Sequence, residues 1–344
     1  MSADAPAASG SSRSAVVGTA IFLVVVVGAL CWAKWWPYAG KVAGVLTTGK
    51  FAGRASLPLG SAPGPSWQAA WSFTVGYFGS VWVALVAALV IAAAMEALVP
   101  SAWIRRAFPA GRGAWAGGVL ALPSMMCTCC TAPITVSLRR CGVAPGPALA
   151  FWVGNPVLNP AVLVFLAVLL PWPWVALRVV AGVVLVFLIV PLVARLGAAD
   201  AVPVPLAPNP GFEPASVVIR FMRRLGVLAV TLVPEYLLVV LAVGAARPWF
   251  AHGTAGPWPV ILLAAVLGTL FVVPTAGEVP IVLGLLAAGA GPGLAGALLL
   301  TLPALSLPSL VMVGRSVPKR VLLALSAAVI ALGVACGGLL AVLA

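Results

Sequence analysis

Residues 122–133 read Leu-Pro-Ser-Met-Met-Cys-Thr-Cys-Cys-Thr-Ala-Pro, and they interrupt an apolar stretch that runs from 113 to 140. The arms on either side, 113–126 and 131–140, are each too short to cross about 30 Å of hydrocarbon as a helix. Soft thiol side chains in the middle of an apolar segment are hard to explain as packing. The segment therefore bears both on how the chain folds and on what it binds.

The composition indicates a chain that is built for lipid. Hydrophobic residues make up 63% of the 344 residues and charged residues 7%, whereas a soluble domain has roughly 25% charged residues. Uninterrupted apolar stretches that are long enough to span a bilayer lie at 15–33, 79–99, 145–170, 173–195, 225–246, 292–313 and 321–343. With the interrupted stretches 113–140 and 257–289, they predict an all-α polytopic protein of the cell (inner or plasma) membrane, with about seven to nine transmembrane helices.

The regions outside the membrane core are identified by composition. Residues 1–68 are interpreted as an uncleaved anchor helix and a loop, because the first apolar run is longer than the ~7–15 residues of a signal peptide core. Residues 196–216 form a proline-rich linker. The net charge of +13 does not indicate a nucleic-acid partner, because the basic residues lie at the ends of spans, as topology signals do.

The chain contains an internal duplication. A shift of 147 residues places Pro133 on Pro280, and twelve of the 32 positions in 133–164 are then identical. The prolines and glycines that match mark breaks in the backbone; they pair as Pro133/Pro280, Gly142/Gly289, Pro145/Pro292, Gly146/Gly293 and Pro156/Pro303. We therefore predict two membrane repeats, 79–195 and 217–344.

Both interrupted stretches share one design. In the second copy the arms 260–273 and 278–288 flank the polar run Pro274-Thr-Ala-Gly-Glu278. Irregular backbone at membrane depth is tolerated where it faces protein or a watery cavity, so two re-entrant hairpins are one prediction. A single kinked helix that crosses once is the alternative. If both stretches are hairpins, each repeat crosses the membrane three times. After an odd number of crossings the second repeat starts on the opposite face from the first, so the two repeats are inverted.

Basic residues agree with the inverted arrangement. The positive-inside rule is satisfied if one face holds Arg13, Arg105, Arg106, Arg112, Arg139, Arg140, Arg195, Arg220, Arg223, Arg224, Arg315, Lys319 and Arg320. Lys34, Lys41, Lys50 and Arg54, which follow the first apolar run, fit this rule badly because they fall on the outer face.

Three cysteines are the candidate ligands. Cys127, Cys129 and Cys130 are spaced i, i+2 and i+3, so their sulfur atoms could converge on an irregular hairpin tip. Thiolates prefer soft cations and metalloids. A structural zinc site is not expected, because it needs four ligands and the chain has one histidine. The alternative is that these cysteines are small packing residues.

Glu278 is the candidate for proton coupling. The repeat shift places it on Thr131, directly after the cysteines, and a carboxylate at bilayer depth is costly enough to indicate function. A hydrogen-bonded structural acid is the alternative. Asn155, Asn159 and Ser306 lie beside prolines that break two later spans, and they are predicted either to line a pathway or to join helices by hydrogen bonds.

At these residues the chain resembles a known family. Residues 122–133, Leu138-Arg-Arg-Cys-Gly142 and 150–160 resemble the first signature of the predicted permeases that include the ArsP organoarsenical exporters, and Pro274-Thr-Ala-Gly-Glu-Val-Pro280 resembles the second. The resemblance implies a polytopic inner-membrane permease; some members of the family export trivalent organoarsenicals, with cysteines as the expected ligands, and many have no known substrate. The run Cys-Thr-Cys-Cys departs from the family's more usual Cys-x-Cys-Gly form.

We therefore expect a secondary permease, not an enzyme, that needs no cofactor and moves a thiophilic substrate, with protons as a candidate coupling ion. Inverted repeats with broken helices are a recurring transporter plan. Two hypotheses from other classes remain at this point: a membrane thiol-redox protein, and a structural membrane subunit.

Overall fold

The computed structural model describes residues 8–50, 67–108, 113–197, 214–246, 257–287 and 289–343, and within these ranges all regular structure is helical. The α-helices are α1 (Ala8–Leu30), α2 (Trp36–Thr48), α3 (Trp67–Leu98), α4 (Ser101–Ala107), α5 (Gly113–Ser124), α6 (Thr128–Arg140), α7 (Pro145–Val157), α8 (Pro160–Leu169), α9 (Trp172–Val184), α10 (Val190–Arg195), α11 (Pro214–Ala246), α12 (Pro257–Leu270), α13 (Glu278–Ala287), α14 (Pro292–Ala304), α15 (Leu307–Val313) and α16 (Lys319–Leu343). The chain is thus an all-α polytopic membrane protein.

Six helical segments in the described ranges are long and apolar enough to cross a membrane. They are Ala15–Thr48, Ala70–Leu98, Pro145–Leu169, Trp172–Arg195, Pro292–Val313 and Lys319–Leu343. The 33-residue α11 covers the predicted span 225–246. Most of the predicted proline-rich linker (198–213), Arg54, and the side chains of Arg13 and Arg112 lie outside the described residues.

The first span extends further than the sequence predicts. We expect a loop from residue 37, whereas α2 continues the helix to Thr48 through a π-helical turn at Cys31–Trp35. Pro37 stands in the first turn of α2, where the missing N–H is tolerated because the π-helical turn has already altered the ladder. Gly49 then ends the helix in the left-handed conformation, with φ 62°, which favours glycine.

The first interrupted stretch is a re-entrant hairpin. Along α5, a side chain at Gly117 would meet the carbonyl oxygen of Pro147 near the start of α7, while Ser124 donates a hydrogen bond to Asn155 near its end, so α5 and α7 run parallel. The indole of Trp152 in α7 donates to the Thr128 carbonyl at the start of α6. Since α6 ends beside the start of α7, the two arms enter and leave at the same face.

The second interrupted stretch repeats this design. Side chains at Gly293 and Gly268 would meet Ile261 and Thr301 respectively, so α12 runs parallel to α14. Helix α13 ends at Ala287, just before α14 begins at Pro292, and it therefore returns to the face where α12 starts. The kinked single crossing is excluded for both stretches.

The backbone of the two halves shows the same duplication. Helices α3 and α11 begin 147 residues apart, as do α9 and α16. Gly142 and Gly289, which correspond by the same shift, both have φ 84°. Each half has three crossings (α3, α7 with α8, and α9 with α10 in the first half), so corresponding helices run in opposite directions.

Basic residues gather at one end of the bundle. Glu96 near the end of α3 lies 3.5 Å from Arg140 of α6 and 3.5 Å from Arg224 near the start of α11, while Arg139 donates to the Ser316 carbonyl after α15. We call this end the arginine face; its described basic residues are Arg105, Arg106, Arg139, Arg140, Arg195, Arg220, Arg223, Arg224, Arg315, Lys319 and Arg320. The positive-inside rule predicts that this face is cytoplasmic.

Candidate functional site

The two hairpin tips enclose a small cavity between the repeats. One tip supplies Cys127 and Thr128, and the other supplies Thr275 and Glu278. The remaining wall is formed by Pro156, Val162, Val273, Pro274, Ala276 and Pro303. The space admits about one water molecule. Because the hairpins enter from opposite faces, their tips meet inside the membrane.

Two of the cysteines form a close thiol pair. Cys127 is the N-cap of α6 and Cys130 lies in its first turn, and side chains at these two positions point to the same side of a helix start. Their sulfur atoms lie 3.0 Å apart in a hydrogen bond, and both residues are free and buried. We refer to Cys127 and Cys130 as the thiol pair.

Cys129 lies apart from the thiol pair. Its sulfur is 3.1 Å from the hydroxyl of Ser306, which also lies 3.3 Å from the hydroxyl of Thr128. Within the described ranges, no group of three or more His, Cys, Asp or Glu side chains is arranged to hold a metal ion. The spacing predicts that all three sulfur atoms could converge. In this structure two of them form the thiol pair, and the third lies beside Ser306.

Asn155 supports the first hairpin tip from behind. Its side-chain oxygen accepts hydrogen bonds from Ser124 (2.7 Å) and from the backbone N–H of Met126 (3.3 Å), and its amide nitrogen donates to the Phe151 carbonyl (2.8 Å). These bonds hold the turn in which Met125 adopts φ 47°, a conformation that is unusual for a residue other than glycine. Asn155 therefore joins α7 to the hairpin tip by hydrogen bonds.

Asn159 begins the second half of a broken span. Its side-chain oxygen accepts from the backbone N–H groups of Ala161 and Val162, which caps α8. Its amide nitrogen is buried and has no hydrogen-bond partner among the described residues. Ser306 occupies the corresponding N-cap position of α15, where its hydroxyl donates to Ser309 instead.

Glu278 is paired with Arg178, which was not among the residues expected to form the site. Nη2 of Arg178, in α9, lies 3.5 Å from Oε1 of Glu278, and both side chains are buried. An arginine inside a span is a signal of function in itself, and this signal was available at Arg178.

Proline breaks explain why Arg178 is held here. Pro160 and Pro303 lack the N–H that would normally bond the carbonyls four residues earlier. Arg178 donates to those two carbonyls, of Pro156 (3.0 Å) and of Leu299, and its Nε also donates to Val157 (2.9 Å). The broken helices of both repeats thus bind one guanidinium group.

The first span binds the second hairpin tip beside the cavity. Lys34 is 3% exposed, and its ammonium donates to Thr275 Oγ1 at 2.8 Å. The hydroxyl of Tyr38, one turn further, donates to the Thr275 carbonyl at 2.9 Å. The expected position of Lys34 on the outer face is wrong, because the helix continues past Lys34 and this side chain is buried.

The comparisons with known proteins agree with this architecture. A family profile described as "Predicted permease" matches residues 66–201. The UPF0718 protein YraQ of Escherichia coli (strain K12) is 40% identical over 335 residues, which cover 93% of this chain and 94% of that protein. No solved structure matches the chain. An identity of this extent, over nearly the whole of both chains, places the protein in the predicted permease family.

Proposed function

We propose that this permease is a secondary transporter of the cell (inner) membrane that exports a thiophilic substrate, such as a trivalent organoarsenical or a soft metal ion. The observation that carries the proposal is the thiol pair, with sulfur atoms 3.0 Å apart, at a hairpin tip that lines the small cavity through Cys127. Thiolates are the protein ligands with the highest preference for soft centres.

The chemistry of the thiol pair suits a trivalent arsenical. An arsonous acid, R–As(OH)₂, condenses with two thiols: two As–S bonds form, two As–O bonds break, and the thiol protons leave in two water molecules. No electrons are exchanged, so the reaction reverses when water returns. Two sulfur ligands suffice for this centre, so Cys129 is not needed as a third; with Ser306 it would form an accessory polar contact.

Movement of the substrate would follow from the inverted repeats. Transporters of this plan expose a midplane site alternately to each face by rocking one repeat against the other. The Arg178–Glu278 pair and the Lys34–Thr275 hydrogen bond both join the second repeat to other parts of the chain. Protonation of Glu278 would weaken its hold on Arg178 and release the repeats, which is how we assign proton coupling to this carboxyl group. Asn159, whose amide nitrogen is unpaired among the described residues, is the amide proposed to contact the substrate.

A tolerance assay in an arsenical-sensitive host tests the proposal. Cells that express the parent protein are compared on methylated trivalent arsenic, inorganic trivalent arsenic, antimony, copper and mercury. We expect Cys127→Ser and Cys130→Ser to abolish protection, and Glu278→Gln to reduce it strongly. Cys336→Ser, a buried cysteine outside the cavity, is the matched control and should protect like the parent. Equal protection by all variants would end the proposal.

One observation favours a second candidate function. The thiol pair has the Cys-x-x-Cys spacing at a helix N-terminus, an arrangement that also serves thiol–disulfide exchange. In that reaction the two thiols would become a disulfide while an external disulfide is reduced to two thiols. The burial of both thiols argues against it, because a partner protein's disulfide would have to reach buried sulfur atoms. A redox role predicts that a membrane-impermeant thiol reagent labels the pair readily; a transport role predicts slow labelling.

A further inference from the structure

The first span brings a lysine into the membrane interior. Lys34 lies in the π-helical turn Cys31–Trp35, and such turns often occur at functional sites. Its ammonium donates a hydrogen bond to Thr275, which lines the cavity. Helices α6 and α13 both begin at this cavity, and helix N-termini favour negative charge. Lys34 and the two helix N-termini therefore place positive charge beside the cavity.

The charge of Lys34 has no acidic partner among the described side chains. Only two acidic side chains belong to that set, Glu96 and Glu278. Glu96 contacts Arg140 and Arg224 at the arginine face, and Glu278 contacts Arg178. An ammonium group inside a membrane is costly unless it meets a group of opposite charge. A ligand with a negative charge would supply that group.

A second lysine continues the same helix face. Lys41 is seven residues after Lys34, and Tyr38 lies between them at helical spacing. The ammonium nitrogens of Lys34 and Lys41 lie 5.5 Å and 4.9 Å from the centre of the Tyr38 ring, both within cation–π range. Tyr38 also stacks on Phe165 of α8, in the half of the broken span that leads away from the arginine face. We call Lys34, Tyr38 and Lys41 the lysine stripe.

The lysine stripe accounts for an anomaly in the sequence. Basic residues that follow the first apolar run contradict the positive-inside rule. Lys34 and Lys41 are two of them. Lys34 binds the cavity-lining Thr275 and Lys41 lies on the same helix face, which gives both a purpose other than setting topology.

We propose that the substrate carries a negative charge as well as a thiophilic centre, and that the lysine stripe binds this charge and guides it between the cavity and the outer face. The inference rests on the proposed function, because it assigns the anionic end of a ligand whose soft end the thiol pair holds. The class of substrate is thus a small, soft, anionic molecule.

Two matched probes test the inference on the full-length protein in lipid nanodiscs. Phenylarsonous acid is neutral, and 4-carboxyphenylarsonous acid carries a carboxylate on the same scaffold. Calorimetric titration should show that the parent binds the carboxylated probe about tenfold more tightly, the gain expected from one charge-assisted hydrogen bond. Lys34→Gln should remove this preference, and Lys34→Arg should keep most of it. Lys50→Gln, an exposed lysine beyond α2, is the control and should behave as the parent.

A transport measurement provides a test that does not depend on the buried lysine. Lys41 is exposed, so Lys41→Gln is expected to fold. In proteoliposomes it should slow the movement of the carboxylated probe severalfold and leave that of the neutral probe unchanged. Equal affinity of the parent for both probes, or an equal loss for both probes in Lys34→Gln, would overturn the anionic assignment while the thiol site stands. Undiminished binding of both probes by Cys127→Ser would overturn the thiol site itself, and this inference with it.

Discussion

Arg178 of the first repeat lies 3.5 Å from Glu278 of the second, and neither side chain is exposed to solvent. The pair is the ionic link between the two repeats at the level of the hairpin tips. It forms where prolines leave helix carbonyls without their usual N–H donors, so that the guanidinium group is held by backbone as well as by carboxylate.

We predict that the two halves of this ion pair respond differently to substitution. Arg178→Met leaves Glu278 buried without its counter-charge and should lower the free energy of unfolding by about 3–5 kcal/mol. Glu278→Gln should cost less, because the carbonyls still bind the guanidinium group. The double variant Arg178→Met/Glu278→Gln should be more stable than Arg178→Met alone. Thermal unfolding in detergent measures all three.

A matched control for this cycle is Glu96→Gln, which removes a carboxylate that contacts arginines at the arginine face. Because this site is closer to water, the loss should be smaller. Additive effects in the Arg178 and Glu278 variants would contradict a direct interaction between them.

The thiol pair should oxidise selectively. Cys127 and Cys130 are adjacent, whereas Cys129 faces Ser306, so a membrane-permeant oxidant should link Cys127 to Cys130 and lower substrate binding. Peptide mass spectrometry identifies the link. Cys129→Ser should form the same disulfide, and Cys130→Ser should form none; a Cys127–Cys129 link in the parent would contradict the geometry.

The hairpin tip should depend on Asn155 for stability. Asn155→Leu leaves the buried N–H of Met126 without an acceptor, and it should destabilise the protein by about 1–3 kcal/mol. Asn159→Ala removes the N-cap of α8 and should cost about 1 kcal/mol, with the additional loss of substrate affinity that our proposal assigns to its unpaired amide. Measuring both the free energy of unfolding and the substrate affinity of each variant distinguishes the role of Asn155 from that of Asn159. A larger loss of binding than of stability in Asn155→Leu would contradict its supporting role.

The arginine face should be cytoplasmic. In intact cells a membrane-impermeant maleimide should label Trp172→Cys, in the exposed turn at the opposite end, and should label Lys319→Cys only after permeabilisation. Cys141 serves as an internal control. Burial raises the pKa of the Cys141 thiol to about 12, so it stays protonated and should remain unlabelled at neutral pH. The reverse labelling pattern would invert the topology.

Much of the fold could be predicted because its signals are local. Apolar length indicates crossings, and prolines and glycines mark breaks, so the matches Pro133/Pro280 and Gly142/Gly289 are enough to reveal the duplication. The choice between a hairpin and a kinked helix could not be made locally. It depends on whether α6 returns along α7, and that direction is visible only in contacts such as Trp152 with Thr128.

The candidate site was predictable to a smaller degree. Cys127 and Glu278 line one cavity, but spacing alone did not separate Cys129 from Cys130, because the exact start of α6 determines which side each thiol faces. Lys34 and Tyr38 lie more than two hundred residues from Thr275 in the chain. No periodicity or motif links positions at that separation.

The amino-acid order alone established a helical membrane protein with two related halves and a sulfur-rich break. This was possible because the length of an apolar run, proline and glycine each determine the structure of the backbone close to them in the chain. Three-dimensional packing established which groups meet: Arg178 with Glu278, Cys127 with Cys130, and Lys34 with Thr275. The physical reason is that burial and pairing of charge inside a membrane are properties of assembled helices, in which each polar group must find its partner on another segment.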